Sequence, residues 1–244
     1  MNFKRLLPFL IIFVVGCSIV DDDDTIIKNK LNIFSLLSPE KGENFILIDS
    51  IASISTTVND SIFTVKDADV YINSALCLFE ETESYFYNGL YRVGTEIRGG
   101  DVCSLKIVYR GDTIISQTRI PKESKMLGIS DSQIIHYSDS TIFFWNKSNT
   151  SFYKVSFTGM QDSFPMDYYM MYSIDDTFCA GQLFKIFLPE SVMVDINVIA
   201  MDTNFAKMEF FGGSSFEDHF GTFGSYSKSV ARGVLLIKDN PFKD

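Results

Sequence analysis

The chain predicts a mainly β protein built from two consecutive β-sandwich domains, with one short helix in the second. Three observations carry that prediction. Short β-branched or aromatic runs recur along the chain, bounded by turn residues. Only one stretch places apolar residues at helical spacing. The 23 Phe and 11 Tyr supply large apolar area, enough for real cores in a mature chain of about 225 residues, a length that suits one or two domains. The expected division is 1–16 leader, 17–27 tether, 28–121 first sandwich and 126–244 second sandwich.

In the first domain, Phe45 to Ser50 and Asp69 to Asn73 are strand runs between polar residues. Tyr85-Phe86-Tyr87 and Leu90 to Val93 bracket Asn88-Gly89, a strongly turn-prone dipeptide. It either closes a hairpin or bends a long edge. Gly99-Gly100 lets the backbone turn into Val102–Tyr109, and Arg110-Gly111-Asp112 reads as the turn to a returning strand over Thr113–Ile120. Strands at this spacing without helical patterns between them read as a sandwich. Pro121 to Lys125 is a polar stretch that reads as a linker.

In the second domain, Ser140 to Asn146 is a strand carrying the only Trp, Trp145. Ser151 to Phe157 alternates, with Phe152, Lys154 and Ser156 on one face and Tyr153, Val155 and Phe157 on the other. This Trp strand followed by a Tyr-Lys-Val strand resembles part of a fibronectin type III-like sandwich, which implies that Trp145 is a core residue. Tyr168–Tyr172, Phe184–Leu188 and Val192–Ala200 supply further strands. Asp202 followed by Phe205, Met208 and Phe211, with Gly212-Gly213 behind, has the cap, the stripe and the stop of a short helix over 203–211. Phe216 to Ile237 is rich in Gly and aromatics and ends in the strand Gly233–Ile237.

The first residues give an address. Lys4-Arg5 precede an apolar run from Leu6 to Val15, and Gly16 precedes Cys17. That is the pattern of a secretory signal peptide. At about ten residues the run is short of the ~20 needed to span a bilayer. Cys17 in this place resembles the lipobox cysteine of bacterial lipoproteins, which implies acylation and a lipid anchor. Asp21-Asp22-Asp23-Asp24 cannot be buried and form a solvated tether. An acidic run behind a lipidated cysteine is similar to the surface-export signal of Bacteroidota lipoproteins. The expected location is therefore the outer membrane, lipid-anchored, facing the exterior.

Loss of Lys4 and Arg5 with the leader would take the 21 basic residues to 19 against 31 acidic ones, a net charge of −12. Such a surface disfavours nucleic acid, whose phosphates call for Lys and Arg, and leaves membrane attachment to the anchor. Cys77, Cys103 and Cys179 remain after Cys17. Cys77 and Cys103 could pair in an exported chain, but all three read as small buried hydrophobes.

Residue types that carry chemistry are sparse. His136 lies in a strand-like run and His219 in Glu217-Asp218-His219, with neither helical His spacing nor a two-residue Cys spacing for zinc. Glu217, Asp218 and His219 read as a solvated loop, because neighbouring side chains point apart. No nucleophile elbow or glycine-rich phosphate loop is present. Ser214, Ser215, Ser225, Ser227 and Ser229 lie near His219 in sequence, where serine is simply abundant. Asp67 with Asp69, or Asp175 with Asp176, could serve glycoside hydrolysis only if they faced each other across a cleft. Arg110-Gly111-Asp112 matches an integrin-binding tripeptide, yet a hairpin tip wants these residues anyway.

Taken in order, several segments resemble the domain-of-unknown-function 4249 family of Bacteroidota lipoproteins. They are the lipobox, the strand near residue 45, Asp67 to Ile72, Gly99-Gly100 leading into Leu105–Tyr109, and Thr118-Arg119-Ile120-Pro121. Later come the Trp145 and Tyr153 strands, the helix near Phe205, and Gly221-Thr222-Phe223-Gly224-Ser225. The resemblance covers most of the mature chain and implies an immunoglobulin-like sandwich at the outer membrane, beside a TonB-dependent transporter. It brings no catalytic positions, and the chain is shorter than a full member.

The expected function is non-enzymatic: an anchored β-sandwich lipoprotein, with no cofactor or metal, that binds a protein or nutrient. The alternatives are a carboxylate-dependent glycan or peptide hydrolase and a self-associating, adhesin-like structural module.

Overall fold

A computed structural model of the chain describes residues 30–39, 44–50, 64–82, 88–138, 141–150, 152–161, 164–173, 177–179 and 190–239. Cys17, Asp21 to Asp24, Tyr85 to Tyr87, Asp175-Asp176 and Phe184 to Leu188 lie outside these residues. The described chain is mainly β with a single helix, as expected.

In the first half, strands β1 (Leu31–Leu37), β2 (Phe45–Ser50), β5 (Leu78–Glu81) and β6 (Gly89–Arg92) lie in one sheet. Strands β3 (Asp69–Ile72), β4 (Ala75–Leu76), β7 (Val102–Tyr109) and β8 (Asp112–Arg119) form a second, in the order β4-β3-β7-β8. The chain passes from one sheet to the other at Cys77, between β4 and β5. Alternate residues meet between the layers, among them Ile33, Ile46, Ile48, Val70, Ile72, Leu105 and Ile107, all fully buried. Period-two alternation buries one face of each strand, which is what makes this half a sandwich.

The expected hairpin forms between β7 and β8. Arg110 (φ 49°) and Gly111 (φ 90°) make a two-residue turn with Tyr109 opposite Asp112, the left-handed pair that a tight hairpin requires. The Arg110 guanidinium stacks 4.9 Å from the Tyr109 ring. Asn88-Gly89 behaves differently from a turn dipeptide. Gly89 sits inside β6 opposite Glu81, and a Cβ there would meet Phe79 Cζ at 2.2 Å. It is glycine because a ring lies against it.

In the second half, β11 (Phe152–Gln161), β12 (Phe164–Ser173), β14 (Ser191–Met201) and the 19-residue β15 (Phe220–Lys238) run in the order β12-β11-β14-β15, with β9 (Ile134–Tyr137) also on β15. Strands β10 (Ile142–Phe144) and β13 (Thr177–Cys179) form a separate pair. Tyr153, Val155 and Phe157 point inward, with Trp145 2% exposed among them and its ring 5.5 Å from that of Tyr153. Helix α1 (Thr203–Phe211) covers the other face. Asp202 caps its first turn, and Gly212 (φ 63°) ends it in the left-handed conformation.

Strand β15 joins the halves. Its start pairs parallel with β1, Gly221 opposite Ile33, and its remainder pairs antiparallel with β14. The first apolar cluster includes Phe223 and the second Ala231, Val234 and Leu236. Between them on the same face, at period two, stand Ser225, Ser227 and Ser229. Their hydroxyls donate to the carbonyls of Arg119 (3.0 Å), Lys122 (2.9 Å) and Ser124. The segment expected as a linker is thus bonded along its length. The amide nitrogen of Lys122 also donates to Asn149 (2.6 Å), Lys125 N–H bonds Asn146, and Pro121 and Ser124 are buried.

Candidate binding cleft

A cleft of about 470 Å³ opens where the end of β8, the turn before β11 and the start of α1 meet. Its floor is a buried polar knot around Asp202. The Asp202 carboxylate is 6% exposed and accepts four bonds. Oδ1 takes the Phe205 and Ser225 amides, each at 2.9 Å. Oδ2 takes the Thr118 hydroxyl at 2.7 Å and the Asn204 amide at 3.2 Å. Ser225 Oγ lies 2.8 Å from Thr118 Oγ1. The sequence indicates Asp202 as a helix cap, because capping is local. That it also bonds β8 and β15, residues 84 and 23 positions away, has no local sign.

The other walls are built from the same kind of contact. Asn204 Nδ2 donates to the carbonyls of Gln117 and Phe223, each at 2.9 Å. Thr150 Oγ1 bonds the Met201 carbonyl, and Asn149 holds Lys122. Val102, Pro121 and Phe152 supply the apolar part of the lining. At the rim, the side chains of Gln117, Arg119 and Thr203 are exposed and have no partner among the described residues. Arg92 and Arg98, by contrast, bond Glu80 at 2.8 Å and Glu96 at 3.0 Å. The cleft therefore has walls fixed by hydrogen bonds and rim side chains without a partner among the described residues, and its volume falls within the ~300–1,000 Å³ of ligand pockets in general.

The residues singled out in the sequence lie elsewhere. His219 accepts the Leu31 amide at Nδ1 (3.1 Å). Burial pushes its pKa below the ordinary value, as Lys30 does, while Asp218 and Asp112 act against this. Its neighbours Glu217 and Asp218 are exposed, and among the described residues no three His, Cys, Asp or Glu converge as a metal site. Ser214 bonds the carbonyls of His219 and Gly221, and Ser215 accepts the Phe223 amide. These serines and those of β15 hold backbone.

Asp67 and Asp69 are both exposed and flank the buried Ala68, whose amide donates to Tyr91 Oη at 3.2 Å. Burial raises the Tyr91 phenol, and that same amide bond acts against the rise. His136 sits on β9, 3.2 Å from Asp239. Cys77 and Cys103 are buried and form no disulfide; Cys103 Sγ accepts from Asn73 Nδ2 at 3.8 Å, and burial raises both thiols.

A second charged group lies outside the cleft, under α1. Lys154 Nζ and Tyr172 Oη each lie 2.6 Å from Glu209 Oε1. The Lys154 and Tyr172 bonds hold Glu209 below the usual carboxylate range despite its burial. Burial opposes the Lys154 charge, but Glu209 outweighs it and raises the ammonium pKa. Such a lysine stays protonated and serves to seat the helix. Compared with known protein families, curated proteins and solved structures, the chain matches none.

Proposed function

We propose that the chain is an exported lipoprotein, anchored in the outer membrane through acylated Cys17, displayed outward on the Asp21–Asp24 tether, and binding its ligand without transforming it. The observation that carries the reading is Cys17 at the end of a basic-then-apolar leader, followed at once by four aspartates. The resemblance to the 4249 family supports an immunoglobulin-like accessory protein beside a TonB-dependent transporter. Support for binding over hydrolysis comes from the cleft acid. Asp202 accepts four hydrogen bonds, which fills the roughly four lone-pair sites of its carboxylate and leaves none turned to a substrate.

Metabolic labelling with a palmitate analogue, followed by protease shaving of intact cells, tests the reading. The chain should take up label, lose it on Cys17→Ala, and be digested from outside. Replacing Asp21 to Asp24 with Ala should protect it until the outer membrane is opened. Label retained in Cys17→Ala overturns the anchor, and protection of the unaltered chain overturns surface display.

A further inference from the structure

We propose that the cleft binds the carboxylate of a small organic acid through Arg119, with the acid's apolar body against Val102, Pro121 and Phe152; this rests on the binding reading above. Two charged residues line the cleft, Asp202 and Arg119, and they differ in what they have left to offer. Asp202 is 6% exposed and its oxygens take three amides and a hydroxyl. Those donors stabilise its negative charge where it stands and occupy its lone pairs, which leaves little for a ligand amine. Arg119 is the reverse case. It is exposed, without a partner among the described residues, and a guanidinium offers five N–H donors in a planar fork that matches a carboxylate. Between a cationic and an anionic ligand, the second finds the open partner.

The position of Arg119 is fixed from behind. Its carbonyl accepts the Ser225 hydroxyl, and β8 is held in register against β7 up to the Val102–Arg119 pair. The guanidinium is thus the mobile end of an anchored residue: the backbone needs no ordering on binding, and the cost that remains is that of fixing one long side chain. Next to it, and among the described residues, the Gln117 and Thr203 side chains and Asn204 Oδ1 have no partner, since both contacts of the Asn204 side chain use Nδ2. These groups can both give and receive hydrogen bonds, which suits hydroxyl or amide groups on the acid. The chain's overall negative charge is a weak objection, because exposed charges beyond ~8 Å are largely screened at physiological salt.

Calorimetry on the full chain in detergent micelles, with two matched pairs of probes, tests this. One pair is N-acetylphenylalanine and its amide; the other is galacturonate and galactose. At least one acid should bind about tenfold or more tightly than its neutral counterpart, as a charge-assisted fork predicts. Arg119→Gln should remove that advantage without moving the thermal midpoint, since the side chain is exposed and bonds no described residue. The pair that responds distinguishes a peptide-like acid from a sugar acid. Equal binding of acid and neutral probe keeps a binding cleft but overturns its carboxylate preference. Failure of both acids up to about 10 mM, or unchanged binding in Arg119→Gln, overturns the proposal. None of these outcomes depends on where the chain is anchored, which the labelling experiment decides separately.

Discussion

Thr118 Oγ1 and Asp202 Oδ2 lie 2.7 Å apart, buried, across 84 residues of sequence. The bond ties β8, the last strand of the first sandwich, to the cap of the only described helix. Asp202→Ala would strand three amides and a hydroxyl at one site. Each buried group left unsatisfied costs ~1–3 kcal/mol, and loss of a cap ~1 kcal/mol. The variant should lose about 3–5 kcal/mol in urea unfolding, with Asp202→Asn near half of that. A loss under about 1 kcal/mol would mean that the knot contributes only as an ordinary cap.

Gly221 has φ +100°, and a Cβ there would sit 2.0 Å from the Ile33 carbonyl oxygen. Backbone cannot yield as a side chain can. Gly221→Ala should therefore cost about 3 kcal/mol or more and disturb the β1–β15 pairing. Gly111→Ala is the control, with φ +90° and open space around it. Its cost should be only ~1–2 kcal/mol, that of the left-handed conformation. Equal losses would refute the crowding argument.

His219 accepts the Leu31 amide, which requires a neutral ring. Its folded pKa lies below the ordinary 6.5, so the unfolded chain takes up the proton first as pH falls. This contribution is present above about pH 6.5 and is lost as pH drops through the lower folded value. His219→Asn keeps an acceptor without a titration. Its urea midpoint should fall less between about pH 7 and about pH 5 than that of the natural chain. Parallel curves would rule the histidine out.

Glu209 carries the opposite chemistry with the same sign of pH dependence. Its carboxyl is held below the ordinary 4.5 by Lys154 and Tyr172, so its contribution is complete above that value and is lost as pH falls through the lowered one. The pair is mostly screened from solvent, with side chains 23% and 21% exposed. Glu209→Gln should cost about 1–2 kcal/mol near neutral pH, and the deficit should shrink in acid. A deficit that does not change with pH would assign the loss to packing.

Residues 28–121 expressed alone would lack Phe223 and the β15 partner of β1. That fragment should give neither dispersed amide resonances nor a cooperative melt, while the whole chain unfolds in one transition. A folded fragment would show the shared strand to be dispensable.

What could be read from the sequence was whatever is local. The helix over 203–211 needed only Asp202, a stripe and Gly212, all within one short window. The β7–β8 hairpin needed only two residues able to adopt positive φ. Asn88-Gly89 left two readings open because the same dipeptide that favours a turn also tolerates a neighbouring ring, and Phe79 is not visible from there. The 19 residues of β15 were legible only at their end, from Gly233 on. Gly221 and Gly224 look like loop residues, yet Gly221 admits β1 and Gly224 admits the backbone of Phe205. The cleft was not legible at all. Arg119, Asn149 and Asn204 are ordinary polar residues until the fold brings three distant segments together.

The double membership of β15 bears on how the chain is made. Synthesis runs from the amino end, so the strand that completes both cores appears after every other described strand. Until Phe223 and Ala231 are available, the first sandwich lacks an edge partner and the second lacks a wall. A nascent chain then has no finished unit in which to become trapped. For a polypeptide exported as proposed, which would thread through a translocation channel before it folds, late closure would preserve an extended, transportable state until β15 has been delivered.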